Sequence, residues 1–87
     1  MYVILVYDCG EKRVGKMLKL CRKYLHRVQN SVFEGEISDV KLKILCSEAD
    51  KLIDKDEDSI IIFKGRQREW LEKEIIGKEL VTLDNFL

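Results

Sequence analysis

Tyr2-Val3-Ile4-Leu5-Val6-Tyr7-Asp8, at the head of an 87-residue chain, is a run of strand-forming residues that ends on an acid. Aliphatic and aromatic side chains in unbroken succession, without polar alternation, predict a strand covered on both faces and central in its sheet. Cys9-Gly10 ends it in a turn. From Lys12 to about His26 the apolar residues Val14, Met17, Leu18, Cys21 and Leu25 recur at helical spacing, with basic residues on the other sides. His26 then closes the helix, where a partly cationic imidazole suits the dipole.

Val28 to Ile37 reads as extended, with Gly35 marking a bulge or a tight reversal. Ser38-Asp39 is a helix start, and Leu42, Leu45, Cys46, Ala49, Leu52 and Ile53 form one stripe that ends near Asp54. The acidic cluster Asp54 to Asp58 reads as a solvated turn before a second buried strand, Ile60-Ile61-Ile62-Phe63. Glu69 to Leu87 mixes apolar and charged residues around Gly77 and reads as two short edge strands. Two strand-helix-strand units on one antiparallel sheet make an α+β ferredoxin-like sandwich with both helices on one face. Residues 1–77 form this domain and 78–87 a C-terminal edge strand packing on a partner chain. Tyr2, Tyr7 and Phe33 are left for the uncovered sheet face, so a homodimer is expected, in keeping with the small core a chain of this length can bury.

Composition narrows the class. Apolar residues at 46% and charged residues at 37% describe a folded domain, and no apolar run approaches a membrane span. The leading apolar run is too short for a secretory signal, so a cytoplasmic location is expected. Cys9, Cys21 and Cys46 are odd in number, form no CxxC pair and have a single histidine to join them, which indicates neither a disulfide framework nor a zinc site. Cys21 and Cys46 read as small core residues. Cys9 lacks a base partner that would make it a nucleophile.

The formal charge of zero hides a segregation. Lys12, Arg13, Lys16, Lys19, Arg22, Lys23 and Arg27 occur over residues 12–27 with no acid among them, which is an electrostatic footprint for phosphates. Ser31 and Phe33 on the next strand have two readings: a hydroxyl touching phosphate and a ring stacking on a base, or strand packing. Asp8 also has two, as an acceptor for the N–H groups of the following turn or as a metal-binding carboxylate.

The string Arg27-Val28-Gln29-Asn30-Ser31-Val32-Phe33-Glu34-Gly35-Glu36, taken with the opening strand and Asp58-Ser59-Ile60-Ile61-Ile62-Phe63, resembles the CRISPR-associated Cas2 family. The resemblance implies a ferredoxin-like homodimer that works with the CRISPR integrase subunit, holding a DNA fragment before insertion into the repeat array. It also implies a metal-dependent endonuclease acting on RNA or DNA, with Mg²⁺ or Mn²⁺ as cofactor and Asp8 as the catalytic and metal-binding residue. Tyr7 matches beside it. The family's basic nucleic-acid surface corresponds to Arg13 and Arg27, with Lys12 and Lys16 as neighbours. One carboxylate per chain makes a poor metal site, so this chemistry requires an Asp8 from each of two chains. The alternative is a non-catalytic architectural subunit that spaces the integrase along duplex DNA. Cys9-Gly10-Glu11 is a shorter turn than many relatives carry at this point, and residues 66–87 match only loosely.

Overall fold

The computed structural model describes residues 1–70 and 72–78. In chain order these form strand β1 (Tyr2–Asp8), helix α1 (Glu11–Arg22), strands β2 (His26–Gln29) and β3 (Val32–Glu36), helix α2 (Asp39–Leu52), strand β4 (Ser59–Gly65) and a 3₁₀ turn over Arg68–Trp70. The sheet runs β2-β3-β1-β4 and its three strand pairs are antiparallel, which is the ferredoxin-like order expected from the sequence. β1 is central: Leu5 stands opposite Phe33 on one side and Ile62 on the other.

Strand alternation divides the sheet into two faces. Val3, Leu5, Tyr7 and Phe33 point into the helix-covered core, joined there by Met17, Leu20 and Cys21 from α1 and Leu42, Leu45 and Ala49 from α2. Tyr2, Ile4, Val6 and Asp8 point the other way, in register with Val32 and Glu34 of β3 and Ile61 and Phe63 of β4. Among the described residues no helix covers this second face, and Ile61 and Phe63 remain about half exposed on it, at 53% and 54%. One corner is partly screened: Lys73 pairs with the carboxylate of Glu34, which is itself buried.

Several expectations change. Tyr7 and Phe33 belong to the core face, where their rings stack with centroids 6.0 Å apart, so of the three aromatics assigned to the open face only Tyr2 lies there. The first helix stops at Arg22, and His26 starts β2. Leu25 and Val28 still bury themselves at spacings that continue the helical stripe, which is why the pattern overran the end. Gly35 is neither bulge nor reversal: it pairs with Val3 within β3, while the chain reverses at Asn30-Ser31 and the register shift falls between Arg27 and Gln29. Cys46 is exposed, unlike the buried Cys21. Ser38 caps α2 as expected, its hydroxyl accepting from the Lys41 N–H at 3.2 Å, an interaction worth about 1 kcal/mol.

Among the described residues no helix is long and apolar enough to cross a membrane. Of the expected tail strand 78–87, only Lys78 falls within the described residues.

Candidate functional site

Asp8 is the last residue of β1, exposed and on the open face. Register places it opposite Ser59, the first residue of β4, with both side chains on the same side of the sheet. On its other flank the reversal between β2 and β3 comes alongside β1: the Tyr7 N–H donates to the Ser31 carbonyl at 3.0 Å, and the Tyr7 hydroxyl to the Asn30 carbonyl at 3.4 Å. Asp8 therefore stands at one end of the sheet between two turns.

Below it, the β1–α1 turn is tied to the turn before β4 by an aspartate that reading the sequence had assigned to solvent. The Asp58 side chain is fully buried. Its Oδ1 accepts from the Gly10 N–H at 2.7 Å and from Arg13 Nη2 at 3.1 Å, and its Oδ2 from Arg13 Nε at 2.5 Å and the Asp54 N–H at 2.9 Å. A buried carboxylate requires this degree of satisfaction. Hydrogen bonding from Arg13 holds the Asp58 carboxyl far below its ordinary range, and the same bonds raise the Arg13 guanidinium above its own. Arg13 Nη2 also reaches Glu57 Oε2 at 2.9 Å. Its Nε and Nη2 thus face carboxylates of the same chain, unlike the lysines expected beside it as phosphate contacts.

The other basic residues are disposed differently. Lys12, Lys16, Lys19 and Lys23 are exposed and fall at spacings of four, three and four along α1 and its C-cap, so they form one row. At 1.5 Å per residue that row extends about 16 Å. Arg27 is half-buried; its Nη2 donates to Asn30 Oδ1 at 3.3 Å, while its Nε is buried without a hydrogen-bond partner. Ser31 is half-buried at the reversal. Phe33 is 0% exposed, which leaves no ring face for a base to stack upon, and Tyr7 is buried as well. Burial, followed by the negative charge of Asp58, pushes the Cys9 thiol up, away from the thiolate a nucleophile needs.

Among the described residues no group of three or more His, Cys, Asp and Glu side chains could enclose a metal ion. Carboxylate oxygen is the donor Mg²⁺ and Mn²⁺ prefer, so a single chain fits such an ion only as half a site.

An exposed strand-end aspartate, a lysine row on the first helix and an open apolar sheet face mark a small α+β protein of the ferredoxin-like class. The family model described as CRISPR associated protein Cas2 matches residues 1–73. Relatives named CRISPR-associated endoribonuclease Cas2 include one from Fusobacterium nucleatum, 47% identical over all of this chain and 87% of its own length. Another, from Thermotoga maritima, is 49% identical over 91% of each chain. Among solved structures, a Cas2 crystal structure superimposes with a TM-score of 0.85 at 36% identity, covering 92% of this chain and 90% of its own. Streptococcus pyogenes Cas2 at pH 6.5 gives 0.80 at 30% identity, covering 88% of this chain and all of its own. The chain belongs to the Cas2 family.

Proposed function

We propose that this protein is a homodimeric, metal-dependent endonuclease of the CRISPR adaptation machinery, cutting phosphodiester bonds in RNA or DNA and holding DNA for the integrase subunit. The observation that carries the reading is Asp8, an exposed carboxylate at the end of the central strand, on the sheet face that no helix covers. Packing two such faces together buries Ile61 and Phe63 and lets each chain contribute one Asp8 to a common site. The Asp8 carboxylates would be the residues to hold Mg²⁺ or Mn²⁺, which when bound would supply charge compensation for a phosphate and lower the pKa of water. The chain's own share is to present the carboxylate oxygens in a fixed geometry, with the Ser59 hydroxyl beside them, and to hold the nucleic-acid backbone.

That second task falls to the row Lys12, Lys16, Lys19 and Lys23, with Ser31 and Arg27 near the Asn30-Ser31 reversal. Ammonium groups on flexible stems contact phosphates without reading sequence, which suits a protein that must accept fragments of any sequence. The lysine row serves equally the second reading, an architectural subunit that spaces the integrase on duplex DNA without cutting it. Asp8→Asn separates the two. The endonuclease reading expects cleavage to fall by more than the about 100-fold that loss of an outer-shell metal contact brings, with duplex affinity retained. Wild-type cleavage by Asp8→Asn would overturn it. Full integration by the reconstituted complex carrying that variant, together with lost cleavage, would assign adaptation to the architectural role.

A further inference from the structure

Among the described residues no side-chain hydrogen bond to Asp8 adds to the strand ladder, yet the turn that follows it is held by several bonds. Gly10, two residues on, donates to Asp58; Ser59, one residue after Asp58, stands opposite Asp8. The backbone from Asp8 to Gly10, the Gly10–Asp58 bond, the Asp58–Ser59 peptide and the β1–β4 ladder therefore close a small ring with Asp8 at one corner.

Arg13 locks that ring from α1. It meets Asp58 side-on through Nε and Nη2, a bidentate geometry that fixes both groups in one plane. The residue type at position 10 belongs to the same device. A Cβ there would come within 2.6 Å of Arg13 Nη2 and 3.5 Å of Asp58 Oδ1, so the guanidinium lies where a side chain would otherwise be. The Arg13 N–H and the Val14 N–H both donate to the Gly10 carbonyl, at 2.9 and 3.1 Å, which ties the start of the helix to the same residue.

We infer that Asp58 and Arg13 are positioning residues for Asp8: the buried carboxylate and the guanidinium clamped to it hold the β1–α1 turn so that the Asp8 carboxylate points at the reacting phosphate. Arg13 acts through Asp58 and not on the substrate. The inference rests on the catalytic reading of Asp8 and gives the basic helix two kinds of cation, one internal and one for phosphates. A positioned group displaced by about 1 Å loses on the order of 100-fold in rate, whereas a lost phosphate contact weakens binding and its salt dependence.

The test compares Arg13→Gln, Arg13→Lys, Asp58→Asn, Lys16→Gln and Asp8→Asn in the full-length protein. A labelled single-stranded RNA and a labelled DNA duplex are the probes, with Mn²⁺, at a temperature where each variant is shown to be folded. Arg13→Gln and Asp58→Asn are expected to lose about 10- to 100-fold in kcat while KM, duplex affinity and its salt slope stay at wild-type values. Arg13→Lys, which keeps a charge for Asp58, recovers part of the loss. Lys16→Gln, in the phosphate-contacting row, is expected instead to raise KM, weaken duplex binding and lower the salt slope by about 0.7 to 0.9. Wild-type kcat in a folded Arg13→Gln, with Asp8→Asn inactive, overturns the positioning role and leaves Asp8 standing. A lower salt slope in Arg13→Gln returns that residue to the phosphate surface and overturns the proposal too. Full activity in Asp8→Asn removes the catalytic reading itself. Should Asp58→Asn not fold, Arg13→Gln and Arg13→Lys alone decide, because that side chain lies at the surface end of the clamp.

Discussion

On the proposed reading that the open sheet face is a dimer seam, truncating Phe63 to Ala should weaken self-association. Phe63 is 54% exposed on the open sheet face, beside Ile61 at 53% and in register with Ile4. Complete burial of a phenylalanine side chain is worth about 1.5–3 kcal/mol, so covering the remaining half contributes about 1 kcal/mol or slightly more. A two-fold interface uses each residue twice, so Phe63→Ala removes about 2–3 kcal/mol per dimer. That corresponds to a dissociation constant raised about 30- to 150-fold. Sedimentation equilibrium over a concentration series measures it directly. The unfolding temperature of the monomer should fall by only a few degrees, since the half of the side chain already covered within one chain contributes about 1 kcal/mol and no cavity opens in the helix-covered core. Val40, 68% exposed on α2, is the control: Val40→Ala should stay within about twofold of wild type, the scatter of ordinary surface substitutions. On the proposed reading, in which each chain supplies one Asp8, cleavage per chain should also fall on dilution through the new dissociation constant. A Phe63→Ala protein that self-associates like wild type would refute the assignment of this face to the dimer.

Two further outcomes concern ionisable groups. The Asp58 carboxyl is held below its unfolded value by Arg13, so its stabilising contribution is complete above about pH 4, where the unfolded carboxyl is ionised, and is lost as pH falls toward the folded value. Unfolding below pH 4 should therefore take up more protons in wild type than in Asp58→Asn, and parallel stability curves for the two over that range would contradict the clamp. The cysteines should react with a thiol reagent in two classes: exposed Cys46 at once, and Cys21, whose thiol burial pushes up to about 12, only at the rate of unfolding. Prompt labelling of Cys21 in the native protein would be incompatible with its place in the core.

Much of this architecture is legible in the residue order, because long apolar runs and helical stripes report burial directly. The first strand and both helices follow from them. An unbroken run such as Tyr2 to Tyr7 does not say which alternate residues face the helices, however, and Tyr7 and Phe33 went to the wrong face for that reason. The end of α1 carries no glycine or proline, and Cys21, Leu25 and Val28 preserve helical spacing across a real change of structure. At the site, Asp8 was legible as an acid terminating a strand. Asp58 was not. It is one of four acids in the five-residue stretch Asp54–Asp58, and only its position in space, above Gly10 and beside Arg13, separates it from solvated neighbours. For the same reason Arg13 could not be told from the lysines around it: sequence records a cation's charge, while its partner depends on where a distant turn arrives.

That distance has a consequence for synthesis. The bonds between Gly10 and Arg13 on one side and Glu57 and Asp58 on the other span 44 to 48 positions. Asp8 is made 50 positions before Asp58, so the anchor for its turn emerges only after both βα units are complete. A nascent or truncated chain that stops before Asp58 therefore carries Asp8 without the bonds that fix the turn following it.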